Sequence, residues 1–252
     1  MTVSFSLERR TAIVTGANTG LGQAAALALA SAGADIAAVG RTPPAETEAC
    51  VQAVGRRLHF IEADLRDWRA SAAIVDEAVS ALGAVDVLVN NAGIIRRQDA
   101  LTFEEADWDD VMNVNLKTVF FLSQAVARHV IARRGRGKII NIASMLSFQG
   151  GIRVASYTAS KSAIAGLTRA LANEWAPLGI NVNAIAPGYF ATNNTAALRA
   201  DEKRSQEILA RIPAGRWGEA DDLAGAAVFL ASPASDYVHG VILPVDGGWL
   251  AR

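Results

Sequence analysis

Tyr157-Thr158-Ala159-Ser160-Lys161 opens a stretch of helical character and sets a phenol and an ammonium four positions apart, on one face of a helix where both can serve one site. A free phenol titrates near pH ~10, so acting as a base near neutrality requires a drop of ~2–3 units, or about 3–4 kcal/mol. An ammonium about 4 Å away at an effective dielectric of ~20 supplies about 4 kcal/mol before desolvation, so Lys161 is sufficient in magnitude. Ser144 ends the run KIINIAS, just past the carboxyl end of a predicted strand, where open α/β sheets bind ligands. Its hydroxyl can polarise a carbonyl. Singly, each residue has an ordinary reading: serine after a strand is a turn residue or helix cap, and Tyr-x3-Lys is unspecific. Their meaning comes from combination with a nucleotide-binding turn.

Thr15-Gly16-Ala17-Asn18-Thr19-Gly20-Leu21-Gly22 is that turn, placed between the first predicted strand and the first predicted helix. Glycines let a ligand approach the backbone, and free amides with the helix dipole attract phosphate. The spacing Gly16-x3-Gly20-x-Gly22 departs from the general G-x-G-x-x-G fingerprint, so its strand–turn–helix setting counts for more than the motif, and a plain structural turn is the alternative. The second strand ends in Val39-Gly40-Arg41, without the acidic residue that would accept a ribose 2′-hydroxyl. Arg41 can pair with a 2′-phosphate, lie across an adenine, or be a solvated surface arginine, which leaves NAD or NADP open.

The elements that must position these residues alternate along the chain. Candidate strands are 11–15, 35–40, 59–63, 86–90, 138–143, 180–186 and 241–246, and the helical stretches between them include 22–32, 68–82, 108–133, 157–176 and 220–231. Alternation of this kind predicts a doubly wound, Rossmann-like α/β fold: a parallel seven-stranded sheet with helices on both faces. No linker or composition shift divides the chain, so residues 1–252 read as a single domain. The longest interruption, between Pro187 and Trp217, contains NNTAALRADEKRSQEIL, one or two polar helices expected to act as a substrate lid over about 188–216.

Bulk properties narrow the partners. Charged residues are 19% of the chain and the net charge is −1, so no strong field draws the protein to nucleic acid or membrane. Arg133–Lys138 is a basic run without interleaved aromatics and reads as a solvated turn, while His59, His129 and His239 lack metal-ligand spacing. Cys50 is the only cysteine, which fits a reducing compartment. With no leader or spanning segment in the pattern, a soluble, cytoplasmic protein with a small-molecule partner is expected.

TGANTGLG at 15–22, Asp64 after the third strand, NNAG at 90–93, Asn115 within NVN, Ser144, Tyr157-x3-Lys161 and PGYFAT at 187–192 together resemble the short-chain dehydrogenase/reductase family from about Leu7 to the C-terminus. The resemblance implies that Tyr157 transfers a proton, Ser144 holds the substrate oxygen, Lys161 binds the nicotinamide ribose and lowers the Tyr157 pKa, and Asn115 supports a water-linked relay. It implies cofactor contacts at Gly16, Asn18, Thr19, Gly20, Leu21, Gly22 and Arg41, at Asp64 and Leu65 beside the adenine, at Asn91, Ala92 and Gly93, and at Pro187, Gly188 and Thr192. It also implies a homotetramer, to which apolar Val241–Leu250 could contribute.

Several loops, among them NNAGIIRRQDA and NAIAPGYFATNNTAALRAD, are similar to the branch of the family that acts on keto-deoxy sugar acids, mostly with NAD. Such a substrate needs a cation for its carboxylate and polar donors for its hydroxyls. The candidates are Arg96 and Arg97 after NNAG, Gln149 and Arg153 before Tyr157, and Asn193 and Asn194 at the start of the lid, with Arg153 first because four positions separate it from Tyr157. Two other readings are a 3-oxoacyl-thioester reductase and a non-enzymatic dinucleotide sensor. Paired asparagines and arginines weigh against the first, and the intact Ser144, Tyr157 and Lys161 against the second.

Overall fold

The structure, a computed structural model, describes residues 3–252. Seven β-branched, apolar runs become strands within a residue of their expected ends: β1 (Thr11–Thr15), β2 (Asp35–Gly40), β3 (Leu58–Glu62), β4 (Val87–Asn90), β5 (Gly137–Ile142), β6 (Ile180–Pro187) and β7 (Ile242–Val245). All pair in parallel, in the order β3-β2-β1-β4-β5-β6-β7. Because strand side chains alternate, Ala12 and Val14 enter one apolar layer and Ile13 the other. The first layer is closed by α1 (Gly20–Ser31) and α9 (Ala224–Ala231), and the second by α3 (Ser71–Leu82), α5 (Thr118–Ala132) and α6 (Ala155–Trp175).

Two elements differ from the sequence reading, while the insertion after β6 holds two helices as expected. The helix α2 (Ala45–Ala53) was not expected; its sequence AETEACVQA buries only Thr47 and Val51, too few positions to make an apolar stripe. The single helix expected over 108–133 is divided into α4 (Glu105–Met112), a π-helical turn (Asn113–Lys117) and α5. The polar insertion after β6 holds a 3-10 turn at Asn193–Thr195, α7 (Ala196–Ala200) and α8 (Glu202–Arg211).

After β3 the chain crosses back to lay β4 on the other side of β1, so connections leaving β1 and β4 run to opposite faces and open a crevice at their carboxyl ends. Beneath the crevice a buried polar chain ties the layers together. Asn90 donates to Asn141 (2.9 Å) and to Ser123 of α5 (3.1 Å), and Asn141 donates to Thr168 of α6 (2.9 Å). Since α6 carries Tyr157 and Lys161, this network fixes that helix against the sheet at residues with no alternative partner in water. Asn141→Ala leaves Asn90 and Thr168 each short of a partner, and urea unfolding is expected to show a loss of about 2–4 kcal/mol.

Candidate active site

Thr15 closes β1 as a buried hydroxyl that accepts from the backbone N–H groups of Asn91 (3.0 Å) and Ala92 (2.9 Å). Asn91 returns the contact, its amide donating to the carbonyls of Thr15 (2.9 Å) and Gly16 (3.2 Å). The turn between β1 and α1 is thereby locked to the end of β4. Gly16 sits at φ +67°, and a Cβ on Gly22 would overlap the Gly16 carbonyl and the Asn91 amide, so neither position tolerates a side chain without moving this junction. Thr19 caps α1 without a side-chain hydrogen bond, which leaves the first amides of the helix for a ligand.

From that turn a cleft of about 720 Å³ runs along the carboxyl edge of the sheet. One end is bordered by Arg41, Thr42, Asp64, Leu65 and Arg66, the middle by Gly16, Asn18, Thr19, Gly20, Leu21, Gly22, Asn91, Ala92 and Gly93, and the far end by Ser144, Tyr157, Lys161, Pro187, Gly188 and Thr192. Every residue expected to touch the cofactor therefore lines one continuous surface. Of the expected substrate residues, Ser144, Arg96, Asn193 and Asn194 also line it. Sequence reading passed over Thr42, Arg66, Ile94, Phe190 and Thr195, which line the cleft as neighbours of recognised motifs and carry no signal of their own. A long cleft with a glycine turn and a free helix N-terminus at its centre fits a dinucleotide.

At the adenosine end, Arg66 is committed to Asp64 (2.6 Å), which it holds below the usual carboxylate range. Arg41 is exposed and, among the described residues, has no carboxylate within salt-bridge distance. Asn18 donates to the Thr42 hydroxyl (3.2 Å), drawing the glycine turn to the end of β2 beside Arg41.

At the other end, Ser144 lies in extended backbone and its hydroxyl accepts from Leu146 N (3.2 Å), opening the 3-10 turn Met145–Ser147. The first turn of α6 presents Tyr157, and Lys161 follows with its ammonium donating to the Ile142 carbonyl (2.6 Å), 5.6 Å from the Tyr157 ring centroid. Burial pushes the Tyr157 phenol above its ordinary value, against the pull of a hydrogen bond with Ser144 and of the Arg97 cation. In the ligand-free site desolvation dominates the phenol. Desolvation lowers Lys161 itself to about 8. Tyr157 consequently keeps its proton in the ligand-free site near neutrality.

Asn115 stands behind the cleft wall, fully buried in the π-helical turn. It accepts from Ile94 N (2.8 Å) and donates to Ile94 O (2.9 Å) and to the Ser160 hydroxyl (3.2 Å), so the wider turn holds the strand β4 exit against α6. Three candidate substrate residues, Arg97, Gln149 and Arg153, lie outside the cleft lining. Arg153 is exposed at φ +61°, its carbonyl accepting from Gln98 N (3.1 Å), because the loop before α6 turns outward there. Gln149 spends its carbonyl oxygen on Trp249 and Arg211. Arg96 lines the cleft but is bound to Asp107 (2.9 Å) and Asp110 (3.1 Å). Arg97 alone of the three candidate arginines joins freedom from carboxylates, among the described residues, to an electrostatic influence on Tyr157; it donates to Asn194 O (3.1 Å).

The chain belongs to the short chain dehydrogenase family, whose model matches residues 10–203. It is 64% identical over 249 residues to 2-dehydro-3-deoxy-D-gluconate 5-dehydrogenase of Escherichia coli (strain K12), covering 99% of this chain and 98% of the relative. It is 44% identical over 246 residues to gluconate 5-dehydrogenase of Gluconobacter oxydans (strain 621H), covering 97% and 96%. Among solved structures, gluconate 5-dehydrogenase of Burkholderia cenocepacia J2315 in complex with NADP and tartrate superposes with a TM-score of 0.93 at 43% identity, covering 99% of this chain and 98% of that one. The described residues contain no helix long and apolar enough to cross a membrane.

Burial of Lys161 has a measurable cost. In the unfolded chain the amine titrates near 10.5 and in the fold at about 8, so between these values the unfolded state binds more protons and stability rises with pH. Below pH 8 the penalty is complete, at about 3 kcal/mol. Lys161→Met is therefore expected to unfold at higher denaturant than the ligand-free parent at pH 7, the advantage shrinking from pH 8 to 10.5. Equal stability of the two at pH 7 would contradict this origin.

Proposed function

We propose that this protein is a nicotinamide-nucleotide-dependent dehydrogenase of keto-deoxy sugar acids, acting as a 2-dehydro-3-deoxy-D-gluconate 5-dehydrogenase in uronate catabolism. The observation that carries the substrate class is the 64% identity, over almost the full length of both chains, to the E. coli enzyme of that name. The same name belongs to relatives in Dickeya dadantii at 64% and Bacillus subtilis at 56% identity. Arg97, free of carboxylates among the described residues and bound to the backbone of Asn194 in the cleft lining, supports an acidic, hydroxylated substrate over a thioester.

In this reading the glycine turn and α1 receive the pyrophosphate, and Lys161 and Thr192 border the nicotinamide half. When bound, the nucleotide supplies or accepts the hydride. Ser144 donates to the substrate oxygen, and in the reductive direction Tyr157, which its raised pKa keeps protonated, gives that oxygen its proton. In oxidation the phenolate takes the proton back, so bound groups must bring the phenol down from its ligand-free value. Asn115 holds Ile94 in place for relay through Lys161. Arg97 takes the carboxylate, and because it also binds Asn194 O it ties substrate capture to the segment 188–216, which acts as the lid. Cytoplasmic residence and a homotetramer complete the proposal; exposed Leu101, Phe148, Ile152 and Tyr237 are apolar surface that association would cover.

The test follows nucleotide absorbance with the keto-deoxy sugar acid and, separately, an acetoacetyl thioester. Tyr157→Phe is expected to lower kcat by about 10³-fold or more with nucleotide binding retained, and Arg97→Gln to raise KM for the sugar acid about tenfold or more with nucleotide affinity unchanged. Turnover of the thioester alone would move the protein to the other branch of its family.

Arg41 at the end of β2, with no carboxylate within salt-bridge distance among the described residues, favours NADP, the nucleotide bound in the Burkholderia structure. Arg41→Ala is expected to weaken NADPH about tenfold or more in a fluorescence titration while leaving NADH within about threefold. Equal weakening of both would assign Arg41 to the adenine face instead.

A further inference from the structure

The loop that carries Ser144 and the helix α8 are about sixty positions apart in sequence and meet beside the cleft. Met145, next to Ser144, is buried with Ile208 and Ile212 and with Trp249 near the C-terminus. Gln149, at the exit of the same loop, accepts the Trp249 indole N–H (3.3 Å) and an N–H of Arg211, the last residue of α8 (3.5 Å). The Arg211 guanidinium lies 4.0 Å from the centre of the Trp249 ring. Arg252 adds donors to the carbonyls of Ala210 (2.8 Å) and Arg211 (3.2 Å). One carbonyl oxygen thus joins the Ser144 loop, the C-terminal turn and α8, and neither Gln149, Arg211 nor Trp249 lines the cleft.

We propose that Gln149, Trp249 and Arg211 form a positioning bridge through which the seating of α8 sets the orientation of the Ser144 hydroxyl. The proposal rests on the dehydrogenase reading of Ser144 given above. The Ser144 hydroxyl is aimed by the 3-10 turn Met145–Ser147, whose exit is held by Gln149 and whose apolar side chain is held by α8. Loss of the bridge frees both ends of that turn at once, whereas the nucleotide half of the cleft rests on the Thr15–Asn91 junction and is untouched.

Three variants test this: Gln149→Leu removes the acceptor, Gln149→Glu keeps it, and Trp249→Phe removes only the indole donor. Hydrogen exchange of the whole protein is read in residues 145–149 and 202–211, beside sugar-acid kinetics and NADPH titration. In Gln149→Leu exchange should rise in both segments together, KM should rise about fivefold or more, and NADPH affinity should stay within about twofold, with Gln149→Glu restoring the exchange and the KM. Trp249→Phe should change exchange in the same two segments, and the double variant should be less than additive. Faster exchange in residues 145–149 with α8 unchanged would overturn the bridge, and so would parallel loss of NADPH binding and of thermal stability, the mark of a purely structural role. If exchange couples the segments as expected but the parent protein binds NADPH without turning over the sugar acid, the bridge stands and the substrate assignment fails.

Discussion

The site depends on one close approach: the end of β1 against the end of β4, held by the Thr15 hydroxyl and the Asn91 amide over a glycine that has no room for a Cβ. At the switch point of a parallel sheet the two strand exits diverge, and without cross-links the turn and the NNAG segment would each find their own place. Four hydrogen bonds make them one surface. The cleft then extends from this surface in both directions along the strand ends, toward Arg41 on one side and Tyr157 on the other. Positioning by sheet and junction, with the reactive groups at strand and helix ends, is how a stiff core supports chemistry at its edge.

The electrostatics of the far end follow from depth. An amine and a phenol four residues apart on α6 are both desolvated, which moves the lysine down and the tyrosine up, each toward its neutral form. Stability is given up to keep Lys161 buried, and what returns is an amine close to the functional pH and a phenol that keeps its proton until something replaces its lost solvent. Carbonyl acceptors such as Ile142 O compensate part of that cost. The buried Asn90–Asn141–Thr168 chain beneath plays the complementary part, since α6 must resist displacement while carrying two groups that prefer water.

Substrate recognition is assembled from segments that share no local sequence. Arg96 and Arg97 are adjacent, yet the first is neutralised by two aspartates of α4 and the second reaches the backbone of Asn194 after β6. Gln149 and Arg153 are close to Tyr157 along the chain but leave the cleft, because the loop between β5 and α6 turns outward before the helix begins. Proximity in sequence is a guide only along regular elements, where the backbone repeats; in loops the direction of a side chain is set by contacts that arrive from elsewhere.

The sequence by itself determined the sheet, the glycine turn and the pairing of Tyr157 with Lys161 on one helix, because each is written in local periodicity, in backbone requirements or in spacing along one helix. It also determined the family, since motifs at the strand ends recur at intervals that the fold imposes. It could not announce α2, whose face is too polar to read, nor the π-helical turn that splits the long helix at Asn115, since the register change is driven by the hydrogen bonds Asn115 makes with Ile94. Tertiary structure alone decided which arginine stays free, which glutamine becomes a tie instead of a ligand, and that burial raises the Tyr157 pKa. Those outcomes depend on distance and desolvation in three dimensions, and neither is a property of a residue's place in the chain.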